Sequence, residues 1–191
     1  MTANAKLKRC IMVFPAPSAM RTVETVRRKH DPAAGKVRAH ITLVFPFESV
    51  IARSKLEVHM LRALKGIAPF EVTLGGFKRV SGETGHFLFL KVRKGAAKLK
   101  RLHDALYRGV ISRHRPAWLK RVEFLPHMTL GKFETREQLD RAYQELKKSR
   151  LASRVLRLTV RRVTVEIIGE NGAGTVETEV NLGAAAAVSR S

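Results

Sequence analysis

Two tetrapeptides, His40-Ile41-Thr42-Leu43 and His127-Met128-Thr129-Leu130, share the pattern His-apolar-Thr-Leu. In an extended strand, residues i and i+2 share a face and lie about 7 Å apart. Each His and its Thr therefore project together, while the residue between them and the Leu turn towards a core. One polar pair and one apolar pair make a strand with a chemical face. The first motif strand reads as Ala39 to Phe45, closed by Pro46, and the second as Pro126 to Phe133.

Outward from these strands the chain reads as alternating helices and strands. Arg9 to Phe14 is a short buried strand ended by Pro15 and Pro17. Ser18 is the expected N-cap of a helix to His30, which Asp31-Pro32 stops. A basic loop, Ala33 to Arg38, leads into the first motif. A helix over 49–67 carries Val50, Leu56, Met60, Leu61 and Leu64 at helical spacing. Strands over 70–77 and 86–92 flank a turn over 81–85 and read as a hairpin. A helix over 96–110 turns Leu99, Leu102 and Leu106 inward, and 112–123 is irregular and basic. After the second motif come a helix over 134–148, capped by Thr135, and two long strands over 155–168 and 175–182. The turn 169–174 joins them. It is glycine-rich, but it lacks the Lys-Ser/Thr of a phosphate loop and lies between strands. The tail 184–191 is low in complexity and expected to fray.

This order contains a repeat. Motif strand, helix, strand, hairpin and strand follow His40 and again follow His127. His40 to Thr73 and His127 to Thr159 are spaced almost equally. The expectation is an α+β fold in a single bilobal domain, 1–183, with pseudo-twofold lobes built around 39–92 and 126–182. Two antiparallel sheets would flank a central cleft, with the two histidines facing each other across it.

Composition narrows the function classes. Of 191 residues 45% are apolar, enough for a true core, and 37 Lys+Arg against 16 Asp+Glu leave a formal charge of +21. A field of that sign draws in polyanions, RNA among them. Cys10 is the only cysteine, which excludes an internal disulfide and a thiolate metal site and fits a reducing cytoplasm. The N-terminal apolar run is cut by Pro15 and is too short for a signal peptide, and no run is long enough to cross a membrane.

Paired imidazoles suit phosphoryl chemistry. A neutral one takes a proton from the attacking oxygen, and a protonated one gives a proton to the leaving oxygen. Thr42 and Thr129 can donate to non-bridging oxygens, where transition-state charge builds. No metal-ligand pattern and no nucleotide-cofactor motif is present, so neither a metal nor a cofactor is expected. Arg38, two before His40, shares its face and can reach a phosphate. Trp118, between Arg115 and Lys120, is a candidate for stacking on a nucleobase. Phe14 and Phe45 are assigned to the core, Lys132 by alternation to the face opposite His127, and His30, His59, His86, His103 and His114 to the surface. A protein that binds nucleic acid without turnover and a phosphodiesterase of small nucleotides remain as alternatives.

The stretch Asp31-Pro32-Ala33-Ala34, followed by Ala39-His40-Ile41-Thr42-Leu43-Val44-Phe45-Pro46-Phe47, resembles the bacterial 2′-5′ RNA ligase family of the two-histidine phosphoesterase superfamily. The resemblance runs from about Arg9 to Leu182. It implies a bilobal fold with a central cleft and metal-free opening of 2′,3′-cyclic phosphates on RNA or RNA-derived nucleotides, typically to 2′-phosphates. In some members the reverse 2′-5′ ligation runs instead. The four catalytic positions of the family fall on His40, Thr42, His127 and Thr129. Near-symmetry leaves open which histidine is the acid. The expected enzyme is a cytoplasmic monomer.

Overall fold

The computed structural model describes residues 6–183. The tail 184–191 lies outside the described residues. The elements are β1 (Leu7–Val13), α1 (Pro17–His30), β2 (Ile41–Ser49), α2 (Arg53–Ala63), β3 (Phe70–Gly82), β4 (Gly85–Lys94), α3 (Ala96–Leu106), β5 (His127–Phe133), α4 (Arg136–Lys147), β6 (Leu156–Val160), β7 (Arg162–Ile168) and β8 (Gly174–Asn181). Two short 3₁₀ turns, Gly109–His114 and Ala117–Lys120, fill the stretch between α3 and β5.

The strands form two antiparallel four-stranded sheets, ordered β2-β1-β7-β8 and β5-β4-β3-β6. The units β1-α1-β2-α2 and β4-α3-β5-α4 hold equivalent places: an inner strand, a helix, a motif strand at the sheet edge, and a second helix. Each unit lends its first helix to the other. α1, which follows β1, packs on β5 of the second sheet, and α3, which follows β4, packs on β2 of the first. Gly131 permits the first contact: a Cβ there would lie 2.8 Å from the His30 Cβ and 2.9 Å from the His30 carbonyl oxygen. The inward faces of the strands close one core that includes Ile11, Val13, Ile41, Leu43, Leu88, Leu90, Met128 and Leu130. Thr135 caps α4 as expected, in a reciprocal pair with Gln138.

Four local expectations are corrected. Pro46 does not close the first motif strand. It is exposed on an edge strand, beside an irregularity in the pairing with β1, where no ladder hydrogen bond is asked of it. With β2 running to Ser49, the following helix starts later, and Val50 is exposed rather than inward. Ser18 lies inside α1, which begins at Pro17 after an uncapped Ala16. Proline at the first helical position loses nothing, because its amide would be unpaired there. The long strand over 155–168 is two strands. The chain breaks at Arg161 and passes from one sheet to the other.

That break regroups the repeat. Val72 and Leu158, equated by the spacing argument, are direct neighbours in one sheet, with Glu71 opposite Thr159. Each sheet draws on both halves of the chain. β7 and β8 complete the sheet of His40, and β3 completes the sheet of His127, so the sheets do not coincide with the stretches 39–92 and 126–182.

Candidate active site

His40 stands immediately before β2, and His127 is the first residue of β5. Ile41, Leu43, Met128 and Leu130 are 0% exposed, whereas both histidines and both threonines are partly open. Alternation thus places the polar pairs as the pattern requires. Both motif strands also carry a bulge at the motif leucine. Thr42 pairs with Met12 and Val44 with Ile11, so Leu43 is the extra residue. Thr129 pairs with Phe89 and Gly131 with Leu88, so Leu130 is the extra one. Such bulges re-aim the side chains that follow. In β5 the consequence is visible: Lys132 pairs with Phe87 and its ammonium lies 5.8 Å from that ring. Because Phe87 stacks with Phe89, which stacks on His127, Lys132 shares the face of His127 instead of the opposite one.

The histidines are held alike. Nδ1–H of His40 donates to the Arg38 carbonyl and Nδ1–H of His127 to the Leu125 carbonyl, each at 2.7 Å and each two residues back. A carbonyl can only accept, so the proton sits on Nδ1 and every neutral ring presents a bare Nε2. His127 lies within electrostatic reach of His40.

Their surroundings differ. The loop that delivers His40 is pinned by Arg27, which is buried. Arg27 pairs with Asp31 at 2.9 Å and Glu24 at 3.0 Å and donates to the Val37 carbonyl at 3.0 Å. Burial pushes the His40 pKa down, and Arg27 adds to this, while the bond to Arg38 and the charges of Asp31 and Glu24 pull it back up. The ring of Phe14 is 5.8 Å from that of His40, and the Arg38 guanidinium sits 4.4 Å from the Phe14 ring. Phe14 is therefore a half-buried wall of the site and not a core residue. On the other side, Phe89 stacks on His127 at 3.6 Å. Burial lowers the His127 pKa to about 4, the Leu125 carbonyl opposes this, and the charges of His40 and Lys78 lower it further. The sequence offered no sign of Phe89 or Lys78, which reach His127 only through the register of β3, β4 and β5.

α3 braces the first motif strand from outside. His103 Nδ1–H donates to the Leu43 carbonyl at 2.6 Å, and the Phe45 amide donates to the Tyr107 hydroxyl at 2.9 Å. His103, expected at the surface, is fully buried and stacked on Phe124 at 3.9 Å. His59 is also buried, its Nε2–H donating to the Leu106 carbonyl at 3.0 Å. Cys10 donates to the Val44 carbonyl. Burial pushes its thiol up to about 12, so it is no nucleophile.

The basic loop candidates divide. Trp118 is half exposed and lies edge-on to Phe45 with ring centroids 4.9 Å apart. Phe45 is five residues along β2 from His40, about 16 Å at strand rise. Lys120 is exposed in the same short turn. Arg115 instead turns towards α3, 3.9 Å from Asp104 and over the Tyr107 ring, and is only partly open. Among the described residues no group of three or more His, Cys, Asp or Glu side chains is placed to hold a metal ion, and no helix is long and apolar enough to cross a membrane.

Two antiparallel sheets, each presenting a His-x-Thr strand at its edge with Nε2 left free, define a two-histidine phosphoesterase. The model of the 2′-5′ RNA ligase superfamily matches residues 14–171, and the chain belongs to that superfamily. It is similar to a candidate phosphoesterase of Geobacillus thermodenitrificans, 28% identical over 130 residues that cover 66% of this chain and 69% of that protein. A candidate phosphoesterase of Halalkalibacterium halodurans is 25% identical over 91% of this chain and 96% of its own length. In fold the chain resembles E. coli LigT complexed with 3′-AMP, with TM-score 0.66 and 16% identity over 94% of this chain and 100% of that one. It also resembles TT0787 of Thermus thermophilus, with TM-score 0.61 and 20% identity over 92% of this chain and 98% of that one.

Proposed function

We propose that the protein opens 2′,3′-cyclic phosphates at RNA ends to 2′-phosphates, without a metal, with His127 as general base and His40 as general acid. The observation that carries this reading is the matched pair of Nδ1-to-carbonyl bonds, which leaves a bare Nε2 on each of two histidines that lie within electrostatic reach of one another, each two residues before a threonine. In hydrolysis, His127 Nε2 takes a proton from water as its oxygen bonds to phosphorus. The P–O3′ bond breaks, and protonated His40 gives its Nε2 proton to O3′. Thr42 and Thr129 donate to the non-bridging oxygens. Unequal surroundings support the division of roles. At His40, Asp31 and Glu24 favour the charged form against burial and Arg27, whereas at His127 burial beneath a stacked phenyl ring and the charge of Lys78 both work against it. In the reverse direction, 2′-5′ ligation onto a 5′-hydroxyl, the roles exchange.

Arg38 is proposed as a phosphate contact, and Trp118 with Lys120 as the platform for a base; Arg115, tied to α3, is left only a supporting part beside them. The protein is proposed to act as a cytoplasmic monomer. A second reading keeps the chemistry and replaces RNA by a small nucleotide. It draws on E. coli LigT, a protein of the same fold solved with 3′-AMP, ATP and NADP+. EDTA-treated protein incubated with a cyclic-phosphate oligoribonucleotide should yield a 2′-phosphate end. No turnover until a divalent metal is added would reject the mechanism, and turnover confined to mononucleotides would favour the second reading.

A further inference from the structure

A groove of about 510 Å³ opens along Phe14, whose ring lies 5.8 Å from that of His40. It begins at Phe14 and Arg38 and runs between the first turn of α1, at Pro15 to Ala19, and the link from β6 to β7. This is the seam where the chain changes sheets at Arg161. Four arginines line it, Arg38, Arg157, Arg161 and Arg162, against two glutamates, Glu71 and Glu179. Both glutamates are engaged. Glu71 accepts from Thr159, and Glu179 pairs with Arg162 at 3.0 Å and accepts from Thr164 at 2.9 Å. Arg157 and Arg161 are exposed and have no carboxylate partner among the described residues, while Arg38 lies over the Phe14 ring and within electrostatic reach of the buried carboxylate of Glu166. Two guanidinium groups without a carboxylate partner, Arg157 and Arg161, thus join Arg38 on a groove whose Phe14 wall lies 5.8 Å from the His40 ring.

We infer that this groove carries the phosphodiester backbone of an RNA strand whose end lies at His40, which makes the protein an enzyme of oligonucleotide ends rather than of free nucleotides. The inference rests on the reading of the site proposed above and adds the size of its substrate. A guanidinium matches a phosphate in two parallel hydrogen bonds, and a row of them neutralises successive phosphates. A mononucleotide, held at the histidines, has no phosphate left to reach Arg157 or Arg161.

The test compares wild type, the double variant Arg157→Gln/Arg161→Gln, and Arg150→Gln as a charge control on the α4–β6 turn. Turnover is measured on a cyclic-phosphate mononucleotide and on an eight-nucleotide RNA with the same end. Fluorescence anisotropy follows binding of an eight-nucleotide RNA with a 3′-phosphate across a salt series. Wild type should prefer the oligonucleotide in kcat/KM, and the double variant should lose at least tenfold of that preference, with Arg150→Gln keeping it. The slope of log affinity against log salt should become shallower by about 1.4 in the double variant, at about 0.7 per single-strand phosphate contact. Equal kcat/KM for the two substrates in wild type, or an unchanged slope in the double variant, overturns the groove. If neither substrate turns over while the arginine-dependent slope is present, the groove stands and the proposed reaction falls. Displacement of the RNA by polyglutamate at equal charge concentration would show a general polyanion patch and overturn the assignment to RNA.

Discussion

The two halves of this molecule deliver the same histidine to the same place by different means. On the first, the approach to His40 is a loop held by a buried arginine between two carboxylates. On the second, His127 enters its strand directly and is backed by a phenyl ring and a lysine. The motif, the Nδ1 bond and the bulge at the leucine are alike in both, so what separates the imidazoles is the charge and polarity around them. A duplicated scaffold can therefore supply an acid and a base from one motif, by changing neighbours rather than ligating groups.

The largest effects should come from the imidazoles themselves. His40→Ala or His127→Ala should lower kcat by about 10³, within the range for general acid–base groups, with an unchanged circular dichroism spectrum. If only one substitution matters, the site is not a pair. Thr42→Val and Thr129→Val should each cost about 10² in kcat, as the loss of a donor to developing charge does. An effect on KM alone would place them in ground-state binding.

The contrast between the halves makes its own prediction. Arg27→Met leaves Asp31 and its neighbour Glu24 without their cation, and breaking a buried pair costs about 3–5 kcal/mol. Chemical denaturation should show this loss. In the half of His127, Phe89→Ala should remove packing and let the His127 pKa rise from about 4 towards its ordinary 6.5, as an NMR titration would record. A pKa that stays put would mean that the ring is not what keeps water from His127.

pH tests the same point more gently. The lowered pKa of His127 means that the unfolded chain binds its proton first. Between about 6.5 and 4 the unfolded state holds more protons, and stability falls as pH falls through that window. His127→Gln should flatten this acid loss. In turnover, the alkaline limb of kcat/KM should lie below pH 6.5, because the acid must be protonated and the His40 pKa is also lowered.

The repeated motif and its alternation are readable from residues alone, because a strand with one apolar face needs only local pattern. Helices α3 and α4 follow from leucine spacing and from Thr135. Three things need the third dimension. The break at Arg161 leaves only a one-residue slip in the alternation, from Leu158 and Val160 across Arg161-Arg162 to Val163 and Val165, and the slip alone does not tell that the chain changes sheets. Alternation puts Lys132 on the wrong face because a bulge interrupts it. Phe89, Lys78 and the arginine groove arise from strand register and from the crossing of the chain between sheets, which no local spacing records.

The central claim is that His127 is the base and His40 the acid for hydrolysis. The most direct measurement compares His40→Ala and His127→Ala on a cyclic-phosphate substrate and on bis(4-nitrophenyl) phosphate, from which 4-nitrophenolate departs without a proton. The account predicts that His40→Ala loses about 10³ on the first substrate and less than about tenfold on the second, while His127→Ala loses about 10³ on both. Rescue of His127→Ala by the activated leaving group, with none for His40→Ala, would contradict it.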